Sequence, residues 1–341
     1  MRDGFGRKIE YLRISVTDRC NLRCRYCMPE DGVELLPHEM ILNFDEIERV
    51  CRIMAHMGIN KIKLTGGEPL VRRGLSDLVR NLKSIDGIDS VTLTTNGLLL
   101  STYMESLVDS GIDSVNISLD TLDPFVFRRI AGVDGIEDVK RGIHEALKYP
   151  GIDVKINCVP MEMSGQNPWE VAGLAADYPI FVRFIEMMPV GLGKNYRCIG
   201  EDAIREKLEE IYGEMIPVRR RIGNGPCRYF DIEGLKGKIG FISAMSHGFC
   251  DSCNRIRLTS VGFLKTCLQY DKGVDLRALL RGGATDGEIR GAIEEAVLQK
   301  PASHMFQSEC AADGDSPGDG TVDKSSPYSN YENGQMWRIG G

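Results

Sequence analysis

An alternation of short apolar strands with amphipathic helices runs from the N-terminus to about residue 186, and it constrains the fold more than any other feature. Strand patterns are expected over 12–17, 61–65, 90–95, 114–120, 153–159 and 180–186. Helical patterns lie between them over 44–57, 74–84, 102–109, 136–148 and 169–176. The steps recur every roughly 25–35 residues, as parallel strands joined by crossover helices do. Six strands are fewer than the eight of a closed TIM barrel. The expected fold class is therefore α/β: an incomplete (βα)6 TIM-type barrel with an open side. A doubly wound open sheet is the structural alternative.

Past residue 200 the pattern changes. A helix is expected over 202–211, then short antiparallel β pieces over 216–221, 228–231 and 238–242, separated by glycines. Helical stretches follow around 274–280 and 286–298. Residues 311–333 are rich in Gly, Asp, Ser and Pro and poor in aliphatics, a composition that does not support a packed core. The expected organisation is a partial barrel over 1–200, an α+β domain over 201–310, and a flexible tail over 311–341 ending in Gly-Gly.

Side chains alternate across a strand, so if the aliphatic faces meet the helices, the other faces point inward. The inward set would be Arg13, Ser15 and Thr17; Lys61 and Lys63; Thr92 and Thr94; Asn116, Ser118 and Asp120; Lys155 and Asn157; and Arg183. A closed TIM barrel fills this space with Val, Ile and Leu. Burying unpaired charge costs several kcal/mol per ion, so a lumen holding these cations is expected to be wet and to receive an anion. Strands with one face in water are the plainer explanation for any single lysine. Arg183 and Glu186 are a candidate structural pair.

Three cysteines, Cys20, Cys24 and Cys27, have the spacing C-x3-C-x2-C. Three thiolates hold three irons of a 4Fe–4S cube and leave the fourth without a protein ligand, unlike the four-cysteine electron-transfer clusters. A zinc knot, or buried thiols packing as small hydrophobes, would be the alternatives. Gly66-Gly67-Glu68-Pro69 ends the second strand, where ligands of parallel sheets bind. Its glycines would let the backbone approach a ligand closely. A second set, Cys250, Cys253 and Cys267, again numbers three. Taken alone it suits zinc, with His247, Cys227 or Cys310 as a further ligand, as well as it suits iron–sulfur; the first set favours iron. Arg255 and Arg257 follow it on one face of an extended segment, and guanidinium pairs suit phosphate recognition.

The C-x3-C-x2-C and Gly-Gly-Glu-Pro runs resemble those of the radical S-adenosylmethionine (SAM) enzymes. With Asn-Ile-Ser-Leu-Asp, Val-Lys-Ile-Asn, Arg-Phe-Ile-Glu-Met-Met-Pro, Cys-x2-Cys-Asn-Arg-Ile-Arg-Leu and the terminal Ile-Gly-Gly, the chain is similar to the GTP 3′,8-cyclase family from about Arg7 to Pro301, and again at its last residues. Lys63 stands where many members carry Arg; it keeps the charge and loses the bidentate fork.

The resemblance implies two 4Fe–4S clusters, one on Cys20, Cys24 and Cys27 and one on Cys250, Cys253 and Cys267. The first passes an electron to SAM, which cleaves to methionine and a 5′-deoxyadenosyl radical. That radical takes the 3′ hydrogen of GTP, and the ribose closes onto C8 of guanine to give (8S)-3′,8-cyclo-7,8-dihydroguanosine 5′-triphosphate, the first step of molybdenum cofactor biosynthesis. By matching positions, Tyr26, Gly67, Ser118 and Met188 would contact SAM. Arg13, Lys63, Thr94, Lys155, Arg255, Ile256 and Arg257 would contact GTP. Gly340 and Gly341, in a tail that reaches the active site, join Arg13, Arg255 and Arg257 as catalytic candidates. An electron donor is implied, with the next enzyme of molybdopterin synthesis as a further candidate partner, and a monomer or homodimer. Another radical SAM enzyme with an auxiliary cluster, such as a peptide-modifying maturase, is the runner-up; it would need a peptide groove and more cysteines after residue 250. A non-catalytic metal-binding scaffold is the remaining class.

Composition agrees with a soluble cytoplasmic enzyme. Hydrophobic residues are 42% and charged residues 27%. No apolar run spans a membrane, and the polar N-terminus has no signal-peptide core. Eleven cysteines without a secretory context read as reduced thiols and metal ligands. The net charge of −7 disfavours nucleic-acid binding.

Overall fold

The computed structural model describes residues 1–220 and 222–306. Six strands recur through the first part: β1 (Tyr11–Ser15), β2 (Lys61–Thr65), β3 (Ser90–Thr95), β4 (Ser114–Ser118), β5 (Asp153–Cys158) and β6 (Phe181–Ile185). The crossovers carry α1 (Phe44–His56), α2 (Leu75–Lys83), α3 (Leu100–Asp109), α4 (Pro124–Ala131), α5 (Ile136–Ala146), α6 (Pro168–Ala172) and α7 (Leu174–Asp177). All neighbouring pairs from β1 to β6 are parallel. The physical cause is the alternation itself. Leu12 and Ile14, Ile62 and Leu64, Val91 and Leu93, Val115 and Ile117, Val154 and Ile156, and Val182 and Phe184 all enter one buried core against the helices. Each such side chain contributes about 1.5–3 kcal/mol on burial. α1 shows the local logic: Asn43 and Glu46 form a capping box, and Ile47, Val50, Cys51 and Met54 make the buried face.

The rest of the chain adds α8 (Glu201–Tyr212), β7 (Met215–Pro217), β8 (Arg228–Ile232), β9 (Lys238–Ile242), β10 (Arg255–Leu258), β11 (Phe263–Lys265), β12 (Gly273–Asp275), α9 (Leu276–Arg281) and α10 (Asp286–Leu298). These strands extend the barrel sheet at both edges, in the order β12-β11-β10-β1-β2-β3-β4-β5-β6-β9-β8-β7. β10 pairs parallel with β1 and β9 parallel with β6, and the outermost strands are antiparallel. Eight adjacent strands therefore run the same way, in an order that does not close.

Three expectations change. α4 is absent from the expected helices, although Asp123 caps it through its side chain and a proline opens it. Residues 273–275 are strand rather than helix, because Val274 pairs with Leu264. Arg255–Leu258, expected only as an extended segment, joins the sheet through its long-range partner β1, and Phe263–Lys265 is the return strand of a hairpin with it.

Candidate active site

The inward faces enclose a cavity of about 490 Å3. Both cysteine sets open onto it. Cys20, Cys24 and Cys27 follow the carboxyl end of β1, whereas Cys250 and Cys253 precede β10 and Cys267 follows β11. Because β10 runs parallel to β1 and β11 antiparallel to it, the two sets stand at opposite ends of the lumen.

A row of cations lies between them. Arg257, Arg13 and Lys63 are register neighbours on β10, β1 and β2, and the row continues to Thr92 on β3. All four side chains line the cavity, with Thr94, Lys155, Arg183 and Arg255. Burial is the main pressure against the Lys63 charge, and Arg183, Arg13, Lys155 and Arg255 add to it, so its pKa falls well below the ordinary lysine value. Burial, then Arg13 and Arg255, oppose the Arg257 charge in the same way. Guanidinium does not deprotonate in proteins, so what remains is an electrostatic demand for an anion. The Lys63 side chain has no hydrogen-bond or ion-pair partner among the described residues. Farther along, Lys155 Nζ pairs with Asp153 Oδ2 at 2.7 Å and faces the Phe181 ring. Arg255 lies over the Phe249 ring at 4.8 Å.

Several expectations change, three of them about inward residues. Lys61 begins its strand and reaches outward to Glu10 Oε1 at 2.6 Å. Ser15 Oγ donates to the Thr17 carbonyl and Thr17 Oγ1 accepts from Arg19 N, so both are spent within their own turn. Arg183 does not pair with Glu186. It donates to Asn116 Oδ1 at 2.6 Å and to Asn157, while Glu186 Oε2 accepts from Met245 N and Ser246 N. Ile256 is fully buried in the core on the opposite face of β10 from Arg255 and Arg257, so its side chain is not brought to the cavity.

The carboxyl ends of the strands build the first cysteine end. The cysteine loop is tied to the last turn of α4 by Arg23 N to Ala131 O at 2.8 Å and Arg25 N to Ile130 O at 3.0 Å. The Gly-Gly-Glu-Pro turn locks onto the same loop: Gly67 N donates to Thr17 O and Glu68 N to Arg19 O, both at 2.8 Å. A Cβ on Gly67 would sit 2.3 Å from Arg19 O, and one on Gly66 2.7 Å from Thr17 O. The glycines are thus required for backbone packing against the cysteine loop, and both still line the cavity. Burial pushes the Glu68 carboxyl up to about 7, against N–H bonds from Asn96 and Leu70 and the Thr95 hydroxyl. Tyr26 donates its hydroxyl to Asp120 Oδ2 at 2.8 Å, and burial pushes Asp120 up to about 6. Tyr26, Gly67, Ser118 and Met188 all border this end of one cavity.

At the other end, burial raises the Cys253 thiol, but Lys300 and Arg255 outweigh it and the net pKa is lowered. That favours the thiolate, the form that ligates metal. His247 is not brought to this set: its ring bonds Ser246 and faces Glu201, 3.6 Å away, off the cavity. The tetrahedral zinc alternative thereby loses its nearest fourth ligand. Cys227 lines the cavity beside Arg183, Tyr229 and Lys155. Cys310, Gly340, Gly341 and the rest of the 311–341 tail lie outside the described residues. Arg7 and Lys300, isolated residues that carry no motif, are not legible in the sequence, nor are residues 222–226, which line the cavity from the β7–β8 connection.

Residues 14–176 match the model of the Radical SAM superfamily, and residues 180–306 match that of Molybdenum Cofactor Synthesis C. The GTP 3′,8-cyclase of Clostridium perfringens strain 13 is 43% identical over 308 residues, covering 90% of this chain and 95% of that protein. The chain belongs to the GTP 3′,8-cyclase family. The GTP 3′,8-cyclase of Heliobacterium modesticaldum is 46% identical over 319 residues, covering 91% of this chain and 96% of that protein. The crystal structure of Streptococcus suis SuiB bound to S-adenosylmethionine superposes with a TM-score of 0.56 at 18% identity, covering 83% of this chain and 68% of that one, a likeness of fold. As a radical SAM family member, the chain takes a 4Fe–4S cluster and SAM. The first cysteine set fits that requirement: its three residues are outside any disulfide and line one cavity, and thiolates are soft ligands suited to iron.

Proposed function

We propose that this GTP 3′,8-cyclase family member converts GTP to (8S)-3′,8-cyclo-7,8-dihydroguanosine 5′-triphosphate, the first step of molybdenum cofactor biosynthesis. The observation that carries the reading is the Arg257–Arg13–Lys63 row, buried between two three-cysteine sets at opposite ends of one lumen. A triphosphate satisfies that row, and a neutral peptide would not. When bound, the first cluster would supply one electron and SAM the 5′-deoxyadenosyl group for hydrogen abstraction.

The chain's own residues bind, orient and shield. Arg13, Lys63, Thr94, Lys155, Arg255 and Arg257 hold the triphosphate and ribose across the lumen. Tyr26, Gly67, Ser118 and Met188 hold SAM at the carboxyl ends of the strands, with Tyr26 oriented by Asp120. Cys250, Cys253 and Cys267 hold a second 4Fe–4S cluster against the guanine end. The enclosing sheet and the loop 222–227 keep water from the reacting ribose. A one-electron donor completes the reaction, and the product's consumer is the next enzyme of molybdopterin synthesis. Reduced, cavity-facing thiols suit the cytoplasm.

Anaerobically reconstituted protein is incubated with SAM, GTP and dithionite, and products are read by mass spectrometry. The cyclised triphosphate and 5′-deoxyadenosine are expected in equal amounts. 5′-Deoxyadenosine without the cyclised product would overturn the substrate assignment.

A further inference from the structure

Two cations from opposite ends of the chain converge on the second cysteine set. Lys300, after α10, is 3% exposed. Its Nζ donates to Arg255 O at 3.1 Å and to Thr266 O, which sets its charge close to the Cys253 and Cys267 thiols. Those carbonyls flank the ligands: Thr266 precedes Cys267, and Arg255 lies two residues after Cys253. Arg7 grips the third cysteine. Its Nη1 donates to Cys250 O at 2.8 Å and to Ala302 O at 2.6 Å, its Nη2 to Pro301 O at 2.6 Å, and Asp3 holds its Nε.

We propose that Lys300 is a positioning residue of the second cluster, with Arg7 closing the clamp, and that its charge sets the cluster's reduction potential. The inference rests on the second-cluster reading above. The buried Thr266 carbonyl needs a donor but no charge; a buried lysine beside Cys253 and Cys267 also offsets the negative charge of their thiolates. Hydrogen bonds to cluster sulfurs and nearby charge raise the reduction potential, because they favour the more negative reduced form. The segment following α10 is in this way fastened to the cluster loop rather than merely to the fold.

The test uses the full chain with Cys20, Cys24 and Cys27 all changed to Ala, so that iron reports the second set alone. Iron per chain and the midpoint potential are measured by reductive titration with electron paramagnetic resonance, for this parent and with Lys300→Met added. The midpoint of the Lys300→Met protein should fall by at least the 59 mV of a tenfold change in a one-electron equilibrium. If Lys300→Met does not fold, Lys300→Gln, which keeps a donor for the carbonyls but no charge, should show the same fall. A variant with the parent's iron content and midpoint overturns the role of Lys300. A parent that takes up no iron instead overturns the second-cluster reading itself.

Discussion

Lys63→Met separates the electrostatic reading of the lumen from a merely structural one, because its two effects have opposite signs. In the empty site Lys63 is opposed by burial and by Arg183, Arg13, Lys155 and Arg255. Adjacent strands lie about 4.8 Å apart, and side chains in register that splay toward the lumen put charges at roughly 8 Å. At an effective dielectric of about 20, one such pair repels by about 2 kcal/mol. Met fills a similar volume without charge, so removing Lys63 should stabilise the empty protein by about 1–3 kcal/mol. The sign with pH follows. The folded pKa is depressed, so between that value and the ordinary 10.5 the unfolded chain binds the extra proton, and the wild-type protein gains stability as pH rises through this window. The Met variant should lose that rise. GTP binding should weaken by about 1.5–3 kcal/mol, the scale of a charge-assisted hydrogen bond, or roughly 10- to 150-fold in Kd. Guanosine binding should barely change. Thermal unfolding of the ligand-free protein from pH 7 to 10 and calorimetric titration with GTP and guanosine measure both arms. A variant that is less stable and loses GTP and guanosine equally would refute the argument and make Lys63 a packing residue.

Gly67→Ala should destabilise the protein by about 1–3 kcal/mol and lower iron retention by the first cysteine set, because the new Cβ meets Arg19 O at 2.3 Å; denaturant midpoints and iron analysis check this. Arg255→Ala and Arg257→Ala should each weaken GTP binding by about 1.5–3 kcal/mol and guanosine binding less; equal losses would assign them to the cysteine loop. Cys24→Ala should abolish formation of 5′-deoxyadenosine while far-ultraviolet circular dichroism stays unchanged. Deleting Gly340 and Gly341 should leave iron content and SAM binding intact and sharply reduce the cyclised product, read by mass spectrometry against the full chain.

The six-fold βα period, the aliphatic faces and both cysteine spacings were legible in the chain, because each is a local pattern of period or spacing. Alternation also identified Arg13, Lys63, Lys155 and Arg183 as inward, since a strand's two faces are set by its pleat alone. It failed for Lys61, because position along a strand decides whether a side chain reaches the lumen or an acid at the rim such as Glu10. α4 carries its start in the sequence too, as the Asp123 cap followed by Pro124.

Only the tertiary structure decided what the site is made of. β10 lies beside β1 although 239 residues lie between the end of β1 and the start of β10, and that pairing sets Arg257 next to Arg13. Register between strands so remote depends on the packing of the whole sheet, and no local preference encodes it. The same pairing sends the second cysteine set to the far end of the lumen from the first. His247 was chemically eligible as a ligand, and Glu201 holds it elsewhere. Lys300 and Arg7 had no sequence signature, because what distinguishes them is the carbonyls they reach, and those come from other parts of the chain.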